Sequence, residues 1–412
     1  MQTDPDALEA AAFAALDRLA DGLPGLGIAL SGGGDSVALM HLAARWARGR
    51  NIRLAAATVD HGLRPESAAE AATAGQAAAA LGLDHAVLRW DGSGSGNLMD
   101  RARRARLRLL ADWARAQGLA ALALGHTRDD QAETLLMRLM RGAGIDGLSA
   151  MAPRREAEGM LWLRPLLDLG REDLRHWLRH IGASWVEDPT NDDPRFDRVR
   201  IRQAMTGLGL EAQALALSAR HLAQARVALN DGLAPLLSTA GVRLGSLSLD
   251  GRGFAALPAE QRRRLILAGI AFVTGADYPP RRTGTEHALA ELAAGRRVTL
   301  DGALLDPGPR MLIHREAGAA TGARLDGDIW DNRWKISGLR ATDRVGALAD
   351  RVSAFDWRAA GLTHLEAQAL PAVQRGDDLH CPAIAPQDGL VALPIRDSIG
   401  LIEYRLGIEP RP

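Results

Sequence analysis

A glycine-rich loop between a strand-like and a helix-like segment constrains the fold more than any other part of the sequence. Residues 26–30 (LGIAL) are a short apolar run, SGGGDS follows at 31–36, and residues 36–48 have a helical pattern. Glycines let backbone N–H groups close around an anion, and the N-terminus of the next helix adds a favourable dipole. The segment predicts a phosphate-binding loop; the alternative is a tight turn in which Asp35 and Ser36 cap the helix.

The acid in this loop points to a metal ion. A bare carboxylate beside a phosphate would be repelled, so Asp35 is interpreted as a ligand of Mg²⁺. A Walker A loop is excluded because it needs a lysine at this place. The only lysine in the chain is Lys335, and all the other basic residues are arginines.

Strands and helices alternate through the first two hundred residues. Strands are predicted at 26–30, 52–59, 85–90 and 119–124, and the main helices after them at 97–117 and 129–141. This pattern predicts an α/β fold with a doubly wound, Rossmann-like parallel sheet. Such sheets bind ligands beyond the carboxyl ends of their strands. SGGGDS, DHGLR and GHTRDDQAE follow three predicted strands, so we expect these segments to form one site.

The 412 residues are too many for one ordinary core, and the pattern changes after the first two hundred. We predict a catalytic domain at 1–205, a mostly helical middle domain at 206–317 and a small C-terminal α+β domain at 318–412, and we expect the last of these to contact tRNA. Helical patterns at 211–231 and 253–273 and short strands within 296–315 fall in the middle domain.

Composition excludes several classes of protein. Fifty basic and fifty acidic residues argue against a strongly basic nucleic-acid coat. The single cysteine, Cys381, excludes a disulfide framework and cysteine-based zinc sites. No uncharged apolar run has the length of a membrane helix, and the acidic start does not resemble a signal peptide. We therefore predict a cytoplasmic protein with no membrane partner.

Several motifs together carry a resemblance. The loop SGGGDS resembles the PP-loop of the N-type ATP pyrophosphatases, and its companions narrow the family. They are VDHGLR at 59–64, GHTRDDQAET at 125–134, RGAGIDGL at 141–148, and EDPTN at 187–191 with RVRIR at 198–202. With them the first two hundred residues resemble the tRNA(Ile)-lysidine synthases. Leu107 and Val199 depart from the family pattern, which usually has tyrosine and asparagine at these positions.

The resemblance implies a two-step ligation. ATP, a substrate, adenylates the C2 oxygen of the wobble cytidine in an isoleucine tRNA with a CAU anticodon and releases pyrophosphate. The amine of free L-lysine then attacks C2 and displaces AMP to give lysidine. Asp35 would hold Mg²⁺ and take part in catalysis with Arg106, which would offset negative charge. His126 would stabilise the reacting centre, and Asp130 and Glu133 would receive the ammonium groups of lysine. The residues that would bind ATP are Ser31, Gly32, Gly33, Gly34, Asp35 and Ser36.

Charged residues on two predicted helices point to anion and cation contacts by their own chemistry. In the arginine-rich stretch from 101 to 108, helical periodicity places Arg106 on the apolar side and Arg104 on the opposite side. An inward arginine needs an anion, either a phosphate or a partner in a structural ion pair. The outer arginines are either solvated or contact RNA phosphates. Asp130 and Glu133 share the polar side of the next helix, and the alternative for Asp130 is a capping box with Thr127.

Further alternatives stay open at two places. Asp60 and His61 are either nucleotide or magnesium contacts or a satisfied turn pair. The arginines from 195 to 202 either hold tRNA or join domains. For the whole chain, a tRNA thiolase would need paired cysteines or an iron–sulfur cluster, which a single cysteine disfavours. A small-molecule amide synthetase would need no RNA, and a non-catalytic ATP-binding module would show no turnover.

Overall fold

The structure is a computed structural model, and it describes residues 3–62, 67–92, 98–187, 195, 197–276, 278–387 and 389–408. The chain divides into two compact units, Met1–Arg226 and Val227–Pro412. The predicted three-domain division, with boundaries after 205 and 317, stays a prediction. In the part of the chain that is described, no helix is long and apolar enough to cross a membrane.

The first unit is built on a six-stranded sheet. Its strands are β1 (Gly25–Ala29), β2 (Arg53–Asp60), β3 (Asp84–Arg89), β4 (Ala121–Leu124), β5 (Arg154–Ala157) and β6 (Met160–Leu163). They lie in the order β3-β2-β1-β4-β6-β5, and all pairs are parallel except β5 with β6. The chain leaves β1 toward β2 and β3 and returns to β4 on the other side of β1. Such a reversal opens a crevice at the carboxyl ends of the strands.

Helices cover both faces of this sheet, as the predicted doubly wound fold requires. The helices in this part of the chain are α1 (Pro5–Ala20), α2 (Gly34–Trp46), α3 (Ser67–Ala80), α4 (Leu98–Ala116), α5 (Arg128–Leu139), α6 (Ile145–Leu148), α7 (Arg171–His180), α8 (Asp197–Gly207) and α9 (Ala212–Asp231). The last of them extends past Arg226, where the first unit ends. Leu16, Leu39 and Trp177 bring α1, α2 and α7 into one core on β1, while Leu110 and Trp113 of α4 belong to a second core. The predicted strands and helices of this unit match within two residues, but α1, α6, α7, α8 and the β5–β6 hairpin were not predicted.

The second unit combines helices with antiparallel sheets. A five-stranded sheet has the order β7-β8-β11-β10-β9. Its strands are β7 (Gly241–Arg243), β8 (Ser246–Asp250), β9 (Val298–Leu300), β10 (Ala303–Asp306) and β11 (Arg310–Arg315). The last three confirm the short strands predicted within 296–315. The helices of this part are α10 (Ala234–Leu237), α11 (Gly251–Ala256), α12 (Ala259–Thr274) and α13 (Arg282–Ala293).

The prediction of a single helix over 253–273 is wrong, because α11 ends at Ala256 and α12 begins at Ala259. Pro258 precedes the first residue of α12, and Leu257 has an extended backbone with ψ of 146°. A proline disfavours helical geometry in the residue before it and has no N–H for the helix ladder. Two shorter helices therefore replace one long helix.

The remaining residues form two smaller sheets with short helices. The strands are β12 (Leu325–Asp326), β13 (Ile329–Trp330), β14 (Trp334–Ser337), β15 (Arg344–Ala347), β16 (Pro371–Arg375), β17 (Asp378–His380) and β18 (Val391–Pro394). They pair in the orders β12-β13-β14-β18 and β15-β16-β17. The helices are α14 (Ala317–Thr321), α15 (His364–Gln368) and α16 (Gly400–Leu406), with a 3₁₀ turn at Ala349–Ala354. This agrees with the predicted C-terminal α+β fold.

Candidate active site

One cavity of about 380 Å³ lies at the carboxyl ends of β1 and β4 and collects most of the predicted site residues. The loop before α2, the loop between β4 and α5, and residues of α4 and α8 contribute to its wall. Gly32 is the one predicted site residue that does not line it. The predicted residues in the wall are Ser31, Gly33, Gly34, Asp35, Ser36, Arg106, His126, Asp130 and Glu133.

The glycine loop is held by its own two serines. The Ser31 N–H donates to Ser36 Oγ at 3.1 Å, and Ser36 Oγ donates to the Gly33 carbonyl at 2.9 Å. Gly32 has φ of +84°, a left-handed conformation that strongly favours glycine. No side chain caps α2, whose N-cap is Gly33. Asp35 and Ser36 therefore do not act as the helix caps that the alternative interpretation required.

A segment that was not considered in the sequence analysis packs on this loop. The Val186 N–H donates to the Gly32 carbonyl at 3.0 Å. A Cβ atom added to Gly34 would lie 3.3 Å from Cδ1 of Trp185, so the indole ring contacts the start of α2. Trp185 and Val186 both line the cavity. The predicted EDPTN motif continues from here, but its residues 188–191 lie outside the described residues.

Asp35 has one satisfied and one unsatisfied carboxylate oxygen. Its Oδ2 accepts a hydrogen bond from Arg171 Nε at 3.0 Å, whereas its buried Oδ1 has no partner among the described atoms. Burial raises the pKa of Asp35, and the Arg171 charge opposes this only in part. A buried carboxylate oxygen without a partner is unfavourable. A cation bound there would remove the defect.

The donor set around Asp35 fits Mg²⁺ presented together with phosphates. Mg²⁺ in nucleotide sites is usually held by one or two carboxylates, with phosphate oxygens and water as the other ligands. Among the residues that the structure describes, no group of three or more His, Cys, Asp or Glu side chains could hold a metal ion without such help. Asp35 is therefore the residue that would hold the ion against a bound nucleotide.

Asp130 both caps a helix and faces the cavity. Its Oδ2 accepts the Thr127 N–H at 2.8 Å, and the reciprocal bond completes a capping box at the start of α5. Its Oδ1 accepts from Arg171 at 3.2 Å and from Arg198 at 2.9 Å. Burial would raise the pKa of Asp130, but Arg171, the Thr127 N–H and Arg198 together hold it below its ordinary value. Asp130 therefore forms the capping box of the alternative interpretation and also lines the cavity.

Glu133 is buried, with 1% of its surface exposed. Its Oε1 lies 3.3 Å from both Arg171 Nη1 and Arg202 Nε, and its Oε2 lies 3.5 Å from Arg198 Nη1. Burial raises the pKa of Glu133, although Arg171 acts against the shift. The polar side of α5, which carries Glu133 and Asp130, therefore faces a cavity rather than bulk solvent.

Two arginines of α8 form ion pairs with the carboxylates of α5. Arg198 and Arg202 contact Glu133, whereas Arg200 pairs with Asp197 on the exposed side of α8. The two alternatives proposed from sequence for these arginines, tRNA binding and joining of domains, stay predictions. Arg171 was missed altogether, because α7 was not predicted. Its signal was the amphipathic stretch REDLRHWLRH, which begins at this arginine.

His126 is a neutral imidazole at the cavity wall. Burial lowers the pKa of His126 to about 4, with the Asp130 charge acting in the opposite direction. Its Nδ1 is buried without a partner in the described part of the chain. The glycine before it, Gly125, lets the end of β4 lie close to the start of α2, since a Cβ atom there would lie 2.9 Å from the backbone oxygen of Asp35. His126 can therefore exchange a hydrogen bond with a reacting group but is too weakly basic to hold a proton at neutral pH.

Arg106 points into the cavity, as the helical projection predicted. Burial lowers the pKa of Arg106, and the neighbouring Arg103 adds to the shift. Considering only the described residues, Arg106 makes no ion pair with an acid, so the structural-ion-pair alternative is not supported. A half-buried guanidinium that lines a cavity without an acidic partner favours a bound anion.

Arg106 also lines a second cavity, of about 230 Å³, at the ends of β1 and β2. His61 lies in its wall and contacts Trp90 edge-on, with ring centroids 6.0 Å apart. Asp60 accepts the Gly62 N–H at 2.9 Å and behaves as the satisfied turn residue of the second interpretation. Apolar residues supply much of this wall: Ala29, Leu30, Ala57, Val59 and Leu110.

The two departures from the family pattern are packing positions. Leu107 packs against the hydrophobic cluster that contains Leu110 and Trp113. Val199 is buried in α8. Apolar side chains are consistent with both environments.

Comparison with known proteins agrees with this geometry. Residues 10–208 match the family model of the PP-loop domain, so the chain is a protein with an ATP-using PP-loop domain. A tRNA(Ile)-lysidine synthase of Ruegeria pomeroyi is 46% identical over 376 residues, which cover 89% of each chain. Enzymes of the same name from a Bradyrhizobium species and from Rhizobium meliloti are 46% and 32% identical. They align with 60% and 92% of this chain and with 73% and 86% of their own lengths.

The chain belongs to the tRNA(Ile)-lysidine synthase family. The predicted family, fold class and enzyme class are thereby confirmed. The individual site residues remain proposals, supported by where the structure places them.

A pair of substitutions on α4 tests the orientation of its arginines. If Arg106 faces the reacting phosphates, Arg106→Ala should lower the rate of pyrophosphate release about 100-fold, because a preorganised cation is lost. Arg104→Ala, a matched change at an exposed position of the same helix, should change the rate by less than about threefold. Steady-state kinetics of both variants provide the measurement. Equal losses in the two would show that the helix phase does not matter for the reaction.

Proposed function

We propose that the chain ligates L-lysine to C2 of the wobble cytidine of an isoleucine tRNA with a CAU anticodon. ATP is consumed to AMP and pyrophosphate, and Mg²⁺ accompanies the nucleotide. The observation that carries the proposal is a cavity lined by the glycine loop, by Arg106 and by the carboxylates Asp130 and Glu133. In the part of the chain that the structure describes, Arg106 has no acidic partner. Membership of the lysidine synthase family supports the choice of substrates.

The two neighbouring cavities suit the two parts of ATP. The loop from Ser31 to Ser36 would receive the phosphates, since α2 presents its N-terminus there without a side-chain cap. The smaller cavity, with apolar wall residues such as Val59 and Leu110, would receive the adenine ring. Arg106 lines both and would lie near the phosphates. Mg²⁺ held by Asp35 would screen the phosphate charge.

The first half-reaction forms a good leaving group. The cytidine O2 attacks the α-phosphorus of ATP, a bond from O2 to phosphorus forms, and the bond to pyrophosphate breaks. Arg106 would stabilise the charge that develops on the phosphate oxygens. The wobble base lies in an anticodon loop, so it can enter a pocket without opening of a duplex.

The second half-reaction replaces oxygen by nitrogen. The free amine of lysine attacks C2, and AMP leaves with the former O2. Glu133 and Asp130 would attract the ammonium form of lysine and orient it. The attacking amine must lose a proton before it can act as a nucleophile. The pKa of His126 near 4 makes it a hydrogen-bonding group at the reacting centre rather than a strong base.

Mass spectrometry of tRNA tests this function directly. After incubation with ATP and isotopically labelled lysine, the wobble cytidine of a CAU-anticodon isoleucine tRNA should gain one lysine with loss of one water. The same tRNA with uridine at the wobble position should stay unmodified. Pyrophosphate release that needs no tRNA would instead favour a small-molecule amide synthetase, and absence of turnover would favour a non-catalytic ATP-binding module.

A further inference from the structure

Arg171 joins three carboxylates that come from two different helices. Its Nε lies 3.0 Å from Asp35 Oδ2, its Nη2 lies 3.2 Å from Asp130 Oδ1, and its Nη1 lies 3.3 Å from Glu133 Oε1. Each guanidinium nitrogen thus serves a different acid. A planar guanidinium imposes a fixed geometry on its partners, which a single ammonium does not.

The backbone around Arg171 is fixed as firmly as its side chain. The Arg171 N–H donates to Asp129 Oδ2 at 2.7 Å, and the Arg128 N–H donates to the Leu169 carbonyl at 2.9 Å. These bonds hold the start of α7 against the start of α5. Leu174 and Trp177 of α7 also pack in the same core as α2. Arg171 therefore projects from a helix that is anchored to both helices carrying the acids.

The three acids divide between the two half-reactions of the proposed function. Asp35 follows the ATP-binding loop, whereas Asp130 and Glu133 are the proposed lysine contacts. Carboxylates brought this close would repel one another without a cation between them. The residue that fixes their spacing also fixes where the nucleotide and the amine meet.

We propose that Arg171 is a positioning residue that clamps Asp35 to Asp130 and Glu133, and so couples the ATP-binding side of the site to its lysine-binding side. This inference rests on the proposed function. Arg171 acts through the carboxylates it holds.

The test compares Arg171→Ala and Arg171→Lys with the neighbouring Arg128→Ala. Arg128 pairs with Asp173 at 3.4 Å beside the same two helices, but neither residue lines the cavity. Adenylation is followed as tRNA-dependent pyrophosphate release without lysine. The lysine step is followed in a single turnover, by adding lysine after adenylation is complete.

For Arg171→Ala we expect both half-reactions to slow about 100-fold, since misplacement of reacting groups by about 1 Å can have an effect of this size. Arg171→Lys should recover part of both rates, and millimolar guanidinium should partly rescue Arg171→Ala. Arg128→Ala should keep the rates of both half-reactions, and guanidinium should not change them. A purely structural role would lower thermal stability without rescue by guanidinium.

Four results would overturn the clamp: rates in Arg171→Ala equal to those of Arg128→Ala, loss of only one half-reaction, wild-type rates in Arg171→Lys, or lower thermal stability of Arg171→Ala without rescue of its rates by guanidinium. The rates of Arg171→Lys relative to wild type test the proposal even if Arg171→Ala does not fold. The wild-type protein is assayed for lysidine in parallel. If it makes lysidine and the variants do not differ, the clamp alone fails; if it makes none, the proposed function fails.

Discussion

Asp35→Asn is expected to reduce tRNA-dependent pyrophosphate release about 1000-fold or more, because the variant loses the carboxylate proposed to hold Mg²⁺ against the phosphates. Metal ions supply several kcal/mol of charge stabilisation in such reactions, which corresponds to this factor. Asparagine has the same shape, so binding of tRNA should be nearly unchanged. The measurement is pyrophosphate release with a parallel tRNA-binding titration.

Stability provides the control for this prediction. No side chain caps α2, and asparagine Oδ1 can still accept the Arg171 Nε–H that Asp35 Oδ2 accepts. Because burial disfavours the charge of Asp35, its removal should cost little stability. We expect the free energy of unfolding to stay within about 1 kcal/mol of wild type. Asp173→Asn is the matched variant, since Asp173 is also in the first turn of a helix and pairs with an arginine. A folded Asp35→Asn protein with normal turnover would refute the metal role.

Local patterns were sufficient to predict the glycine loop and the inward direction of Arg106. An apolar run, three glycines and a helical repeat are all contained within a few turns of chain, and the helical period alone gives the phase of α4. The meeting of the glycine loop and the loop after β4 in one cavity then follows from the rule that parallel strands end on the same side. Of the DHGLR segment, His61 lines the second cavity, and residues 63 and 64 lie outside the described residues. These parts of the site needed no knowledge of distant contacts.

Arg171 could not be predicted in this way. It lies 136 residues after Asp35, and no local period relates the two positions. The same limit applies to Val186, whose hydrogen bond to Gly32 depends on where the chain returns after α7. Helical periodicity also identified the polar side of α5 without showing that this side faces a cavity. The positions of Arg171, Val186 and the polar side of α5 all depend on long-range packing.

Glu133→Gln is expected to separate the two half-reactions. Glu133 takes no part in the capping box of α5, which is formed by Thr127 and Asp130. The substitution therefore removes one negative charge and leaves the helix start and two of the three Arg171 contacts in place. Pyrophosphate release without lysine should stay within about threefold of wild type. The KM for lysine should rise about 10- to 100-fold, the range expected for loss of one charged hydrogen bond.

The measurement is incorporation of labelled lysine over a range of lysine concentrations, with adenylation assayed separately. Glu172→Gln is a matched control, because Glu172 is an exposed acid at the start of α7 that pairs with Arg175 at 3.0 Å. Asp130→Asn is the contrasting variant. It removes the charge that pairs with Arg171 and Arg198 and leaves one oxygen to serve either these arginines or the Thr127 N–H. It should therefore lower the free energy of unfolding by about 3 kcal/mol. If both half-reactions disappear together in folded Glu133→Gln, Glu133 belongs with Asp35 to the ATP–magnesium side, and lysine must bind at other residues.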